Sequence, residues 1–238
     1  NGRPGPVVLD LPDDMARAKI DPEKLIGFTP SNSEPSKILT ISDIQSIKKA
    51  LKGSKRPLIV VGSGIKLSNQ EKQAINFIKK LNIPFVTTWS TVDMFTSSFE
   101  KLIGSFGVSS NRPGNFAVQS CDLLISLGSR LDTHMTGANA SKFSPKSFKV
   151  MVDIDKSEID KENGLFIDLP INIDLKNFFD KVLDEDFIVG DISEWKNRIS
   201  LWKEKYPICQ AEYFNAKDYV DPYVFMDSLS KLTVKDSV

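Results

Sequence analysis

The sequence predicts an α/β fold built on a parallel sheet, and three observations carry that expectation. Two apolar runs, Leu123–Leu127 and Val150–Val152, are short and continuous rather than alternating, which suits strands covered on both faces. Each run ends in small or charged residues: Gly128-Ser-Arg-Leu-Asp132 after the first, Asp153-Ile-Asp155 after the second. A third run, Leu58–Val61, is followed by a helical pattern and then by the apolar stretch Phe85–Thr88. A strand–helix–strand order of this length predicts a right-handed crossover and a parallel pair.

Composition narrows the function classes. The 238 residues have room for one large or two small domains, and the 40% hydrophobic content is enough for a sizeable core. Thirty-one basic residues balance 31 acidic ones without a basic stripe, so neither nucleic acid nor a membrane surface is an expected partner. The apolar runs are far shorter than a membrane span, and no secretory signal precedes the first run. Cys121 and Cys209 lie far apart without CxxC spacing, which indicates neither a zinc site nor a disulfide framework, and the expected setting is cytoplasmic. The single histidine, His134, cannot supply a His-rich metal site and reads as a polar loop residue.

The elements follow in order. Val7–Leu11 looks like a strand whose neighbours should precede it, so the chain is expected to be part of a longer protein. Asp13 to Lys37, rich in Pro, Ser, Asn and Lys, reads as a linker. Ser42 is the expected cap of a helix with Ile44, Ile47 and Leu51 on one face and Gly53 as its stop. Gly62-Ser-Gly64 forms a tight turn after the Leu58–Val61 strand, and Ser68 with Glu71 predicts a capping box for a helix facing inward through Ala74, Ile75, Ile78 and Leu81. Ser90 to Phe106 reads as irregular, and Pro113 opens a short helix running to Gln119. Beyond Asp155 come a brief helical turn at 157–160, a short strand Leu165–Asp168, and a helix capped by Asp174 with Leu175, Phe178, Phe179 and Val182 inward. Trp195, Ile199, Trp202 and Tyr206 recur at helical spacing as a packing face; 208–219 looks extended, and Pro222–Leu232 is an amphipathic helix. The expected division is 1–37 as the end of a preceding domain with its linker, 38–190 as the core domain, and 191–238 as a linker helix leading into a further domain.

Ligands of open parallel α/β sheets sit beyond the carboxyl ends of the strands. There, Gly128 would let backbone approach a ligand, Arg130 would offer a planar fork to a phosphate, and an acid after the next strand would hold ribose hydroxyls. The same residues are also ordinary turn chemistry, and the glycine-rich dinucleotide fingerprint is missing. The spacing leaves both readings open.

A resemblance adds to this. Gly2-Arg-Pro-Gly-Pro-Val-Val-Leu-Asp-Leu-Pro12, Arg56-Pro-Leu-Ile-Val-Val-Gly-Ser-Gly64, Asn115 through Asp132, Met135-Thr-Gly137, Val152-Asp-Ile-Asp155 and Tyr219-Val-Asp-Pro-Tyr223 occur in the order found in thiamine diphosphate enzymes. They resemble, respectively, the end of the pyrimidine-binding domain, the central domain of acetolactate synthases and their relatives, and the entry to the diphosphate-binding domain. The resemblance implies a Rossmann-like central domain of about six parallel strands with helices on both faces, holding FAD in acetolactate synthases, ADP in some relatives and nothing in others. Carried over position by position, it places Gly62 and Gly64 in the first turn, Thr88 and Trp89 after the second strand, and Gly104 and Phe106 along the flavin. Gly128, Arg130 and Asp132 would lie near the ribityl-phosphate portion, and Asp153 with Asp168 near the adenosine.

The sequence departs from the family pattern in three places, one of them the first turn, which has Ser63 where many members have a further glycine. Leu-Gly-Met-His-Gly becomes Ile103-Gly-Ser-Phe-Gly107, and Arg-Phe-Asp-Asp-Arg-Val-Thr-Gly becomes Arg130-Leu-Asp-Thr-His-Met-Thr-Gly137. The resemblance implies a longer parent enzyme that uses thiamine diphosphate and Mg²⁺ to decarboxylate a 2-oxo acid and pass on the carbanion, as a homodimer or homotetramer. The family's catalytic glutamate belongs to the preceding domain. Its Gly-Asp-Gly…Asn-Asn motif, which supplies hard oxygen ligands to Mg²⁺, belongs to the following one. Here Gly190-Asp191 is followed by Ile192 and no Asn-Asn pair occurs, so this chain alone is expected to be inactive, with no catalytic and no metal-binding residue of its own. The rival expectations are a purely structural module without ligand and, ranked below it, a sirtuin-like NAD-dependent deacylase, for which the zinc cysteines are missing.

Overall fold

The computed structural model describes residues 3, 5–28 and 38–233. Six strands form one sheet: β1 (Pro57–Val61), β2 (Phe85–Thr87), β3 (Leu102–Ser105), β4 (Leu123–Leu127), β5 (Phe148–Asp153) and β6 (Leu169–Asn172), in the order β3-β2-β1-β4-β5-β6. Every neighbouring pair is parallel, with Val61 opposite Thr87 on one side and Leu127 on the other. The helices are α1 (Asp13–Arg17), α2 (Ile41–Gly53), α3 (Gly64–Leu67), α4 (Glu71–Leu81), α5 (Arg112–Ser120), α6 (Thr133–Thr136), α7 (Lys156–Ile159), α8 (Leu175–Val182), α9 (Ser193–Lys205) and α10 (Pro222–Leu232). The expected α/β class and parallel Rossmann-like sheet are what the molecule adopts.

Continuous apolar strands explain this architecture. β1 and β4 are buried at every position, which requires cover on both faces. With right-handed crossovers, the step from β1 to β2 and the return from β3 to β4 put α4 and α5 on opposite faces. On one face Phe77 of α4 meets Phe178 and Phe179 of α8 edge-on, with ring centroids 5.8 and 6.0 Å away. On the other, Phe116 of α5 stands 5.6 Å from Trp202 of α9. Trp195, fully buried, donates its indole N–H to the Pro57 carbonyl at 3.1 Å and so joins α9 to the start of β1.

Several local expectations are corrected. Thr40, not Ser42, caps α2: its hydroxyl accepts from the Asp43 N–H and the Asp43 carboxylate accepts from the Thr40 N–H, each at 3.1 Å. Ser68 makes no capping box with Glu71, because the short helix α3 ends there and claims it; the Ser68 hydroxyl donates back to the Gly64 carbonyl at 2.7 Å. The segment 90–106 is not wholly irregular, since Trp89–Met94 makes a 3₁₀ helix and Leu102–Ser105 makes the edge strand β3. A four-residue edge strand containing Gly104 carries little strand signal.

The strand expected at Leu165–Asp168 instead forms at Leu169–Asn172. Its Pro170 argues against a strand in sequence terms but is tolerated because β6 is an edge. Val7–Leu11 lies exposed outside any strand, with no partner strand beside it among the described residues. Residues 208–219 contain a 3₁₀ turn, Ala211–Asn215, rather than extended chain throughout. Part of the expected linker, residues 29–37, lies outside the described residues.

Candidate functional site

The strand order reverses direction between β1 and β4, the point of the carboxyl edge where sheets of this kind open a crevice. The backbones there touch. The Gly62 N–H donates to the Leu127 carbonyl, the Gly64 N–H to the Gly128 carbonyl and the Gly128 N–H to the Val152 carbonyl, all at 2.9 Å. A Cβ at Gly62 would stand 2.3 Å from the Gly128 oxygen, and one at Gly64 would stand 2.8 Å from the Gly128 Cα. Gly128 itself sits at φ +60, the left-handed region that favours glycine. Gly128 thus meets Gly62 and Gly64 backbone to backbone, which fixes the crevice floor.

Two adjoining hollows run along this edge. The first, about 70 Å³, is lined by Ser63, Gly64, Gly128, Arg130, Asp153 and Asp174. The second, about 210 Å³, is lined by Thr88, Trp89, Arg130, Asp132, His134 and Met135. Arg3, Ser63 and Arg130 border both, which makes one groove of them. Of the sequence-predicted positions, Gly64, Thr88, Trp89, Gly128, Arg130, Asp132 and Asp153 are gathered on this groove, with Gly62 packed against its Gly128 floor.

Three predicted positions are not gathered there. Phe106 is fully buried, with its ring 6.2 Å from that of Phe143, so it packs the core. A Cβ at Gly104 would meet the Asn111 side-chain nitrogen at 2.2 Å, so the glycine makes room for that helix cap. Asp168 stands at the opening of β6, on the opposite edge, where its carboxylate accepts the Lys149 N–H at 2.8 Å.

The groove's charges are tied to one another. The Arg130 guanidinium lies 3.3 Å from the Asp132 carboxylate and 3.5 Å from that of Glu158. Glu158 also holds Lys161 at 3.2 Å and Arg3 at 3.7 Å, and the Lys161 ammonium donates to the Arg130 carbonyl. Asp132 caps α6 by accepting the His134 N–H at 3.0 Å, and the His134 ring stands 6.0 Å from Trp89, whose indole N–H donates to Ser110.

Asp153 differs from these partly exposed acids. It is buried and takes the Asp155 N–H at 2.9 Å. Burial pushes its carboxyl above the usual aspartate range, against the pull of that hydrogen bond and of Arg3. Ser63 and Asp174 line the groove, and Glu158 pairs with its Arg130, without the sequence reading having placed them there. Asp174 and Glu158 both follow strands β6 and β5 at their carboxyl ends, and that position was their available signal. Among the described residues no cluster of three His, Cys, Asp or Glu is arranged to hold a metal, and no helix is long and apolar enough to cross a membrane.

The order 3-2-1-4-5-6 and a groove at its reversal point define an open, doubly wound, Rossmann-like α/β domain. Within that class the family is specific. The profile described as "Thiamine pyrophosphate enzyme, central domain" matches residues 44–182, and the chain belongs to this family. It is similar to the "Probable acetolactate synthase large subunit" of Methanococcus aeolicus, 31% identical over 92% of this chain and 37% of the relative. It is likewise similar to the corresponding protein of Methanocaldococcus jannaschii, 33% identical over 83% of this chain and 34% of the relative. The "Acetolactate synthase large subunit" of Buchnera aphidicola from Acyrthosiphon pisum is 29% identical over 98% of this chain and 41% of the relative. The chain thus spans about two-fifths or less of the length of these curated relatives.

Proposed function

We propose that this chain is the central domain of a thiamine diphosphate-dependent enzyme of the acetolactate synthase kind, and that its groove takes the nucleotide portion of FAD or ADP. The observation that carries this reading is the gathering of Gly64, Gly128, Arg130 and Asp153 at the reversal point of the sheet. The residues suit such a group. A buried carboxylate with one backbone donor has lone pairs to spare for ribose hydroxyls, and Cβ-free residues keep the floor low. Arg130 offers a fork to a phosphate. Hollows of about 70 and 210 Å³ hold a nucleotide in parts along the groove rather than enclosing a whole dinucleotide. Thr88 and Trp89 would border the far end.

The parent enzyme would decarboxylate a 2-oxo acid such as pyruvate in the cytoplasm, as a homo-oligomer. Its thiamine diphosphate and Mg²⁺ would be held by domains on either side. Residues 38–190 would be the ligand-bearing unit, with 1–37 and 191–238 leading to those neighbours and α9 packed back on the sheet. The chain by itself would orient and pack rather than catalyse.

A second reading, a central domain without ligand, has one observation in its favour: Arg130 already has two carboxylate partners, Asp132 and Glu158. Calorimetric titration of the chain with FAD and ADP tests the choice. Saturable binding that weakens in Arg130→Ala supports the nucleotide site, and no binding of either ligand leaves the scaffold. Conversion of pyruvate by the isolated chain with thiamine diphosphate and Mg²⁺ would overturn the assignment of catalysis to other domains.

A further inference from the structure

A second charged hollow lies on the opposite edge of the sheet. Its volume is about 200 Å³, and it is lined by Pro84, Lys101, Leu102, Lys196, Ile199 and Lys203. Pro84 and Lys101 precede β2 and β3, so the hollow opens at the amino edge, where α9 crosses the edge strand. We propose that Lys101, Lys196 and Lys203 form a binding site for a small polyvalent anion carrying a phosphoryl group.

The charge balance favours a dianion. Among the described residues Lys101 is paired with Glu100 alone, and that carboxylate is 80% exposed while the lysine side chain is only 21% exposed. The Lys203 ammonium donates to the Leu102 carbonyl at 2.8 Å, which fixes α9 to the edge strand and leaves two of its N–H donors free for a ligand. No ion pair is formed by Lys196 among the described residues, although the exposed Asp191 near the start of α9 acts on it from a distance. Three ammonium groups against one carboxylate leave two positive charges, which match a phosphate better than a single carboxylate. Lysines bind phosphate as point charges, so no fork geometry is needed.

The lysines of the hollow also act on one another. Desolvation first, and repulsion from Lys196 second, hold the Lys101 ammonium below the usual lysine range. Its backbone sits at φ +70, which a lysine seldom adopts. The apolar floor of Pro84, Leu102 and Ile199 lowers the local dielectric, so an anion seated there would interact more strongly than one in open water.

Calorimetric titration of the 238-residue chain with inorganic phosphate and with pyrophosphate at low ionic strength tests the site. The expected result is saturable binding that weakens about tenfold or more in Lys101→Met and in Lys196→Met and is unchanged in Arg130→Ala. Lys203→Met serves as the third variant should Lys101→Met fail to fold, and it should weaken binding likewise. No saturable binding up to tens of millimolar overturns the proposal, as does equal binding by the lysine variants. Loss confined to Arg130→Ala would place the anion in the carboxyl-edge groove and overturn it too. Failure of FAD and ADP to bind the groove leaves this site untouched.

Discussion

The two edges of the sheet treat the same residue type in opposite ways. At the amino edge Asp122 accepts from the Ser54 hydroxyl, the Lys55 N–H at 3.0 Å and the Arg56 N–H at 2.9 Å, while the Arg56 guanidinium reaches the Ser120 carbonyl at 2.7 Å. Asp168 is likewise engaged by the Lys149 N–H. Cys121, between them, is buried so thoroughly that its thiol is pushed up to about 12, and it contacts the Ser144 hydroxyl at 3.2 Å. At the carboxyl edge Asp153 is buried with one backbone donor, and Arg130, itself exposed, is held by the partly exposed acids Asp132 and Glu158. Polar groups that saturate each other build the fold. Those left short of partners are free to meet a ligand.

The widest break in this comparison comes from the glycine contact shared by β1 and β4. Gly62→Ala would drive a methyl group to 2.3 Å from the Gly128 oxygen, backbone against backbone, with no flexible side chain to yield. We expect a loss of about 3–5 kcal/mol in urea unfolding, among the largest effects of a single methyl. Unchanged stability would show that the two loops are not in contact. Asp122→Ala comes next, because it strands two backbone N–H groups and a hydroxyl at the amino edge. The expected cost is about 2 kcal/mol, with nucleotide affinity unaltered.

Asp153→Asn should act in the other direction. The folded protein raises the pKa of this carboxyl above its ordinary 3.8, chiefly by desolvation. The folded state therefore binds this proton more tightly than the unfolded one does. The stability linked to that proton is full below the unfolded pKa and is lost as pH rises through the folded value. At pH 7 the ionised Asp153 is thus a liability, and the asparagine variant should be the more stable in urea unfolding. The gain should vanish toward pH 4, and ribose-containing ligands should bind less well. A destabilised variant at pH 7 would mean that Asp153 is a structural acid like Asp122.

This contrast also explains what was legible in the sequence. The strands β1, β4 and β5 could be read because central parallel strands are continuous apolar runs, and Asp174 with Leu175, Phe178, Phe179 and Val182 could be read because cap and periodicity agree. The edge strands β3 and β6 could not, since Gly104 and Pro170 mute their pattern. Asp168 and Asp153 look alike as acids beside apolar runs. Only the shift of β6 to Leu169–Asn172 places one at the amino edge and the other at the carboxyl edge. Gly104 and Phe106 are not gathered on the groove for a related reason, because a residue's facing depends on packing against Asn111 and Phe143 that spacing does not encode.

The smallest structural effect carries the sharpest functional contrast. Arg130 is 45% exposed at its side chain, and its pairs at 3.3 and 3.5 Å are those of a solvated network. Such pairs contribute little to folding, so Arg130→Ala should change stability by no more than about 0.5 kcal/mol. If the groove receives a nucleotide, the same change removes one of the two guanidinium forks bordering both hollows, and ADP affinity should fall about tenfold in titration calorimetry. In a ligand-free scaffold the residue would have no second task. Its removal would then leave ADP affinity unmoved while freeing Asp132, and Arg3 and Lys161 would go on neutralising Glu158 in part. Stability and affinity thus separate in this variant only if the carboxyl edge is held in reserve for something the chain itself does not supply.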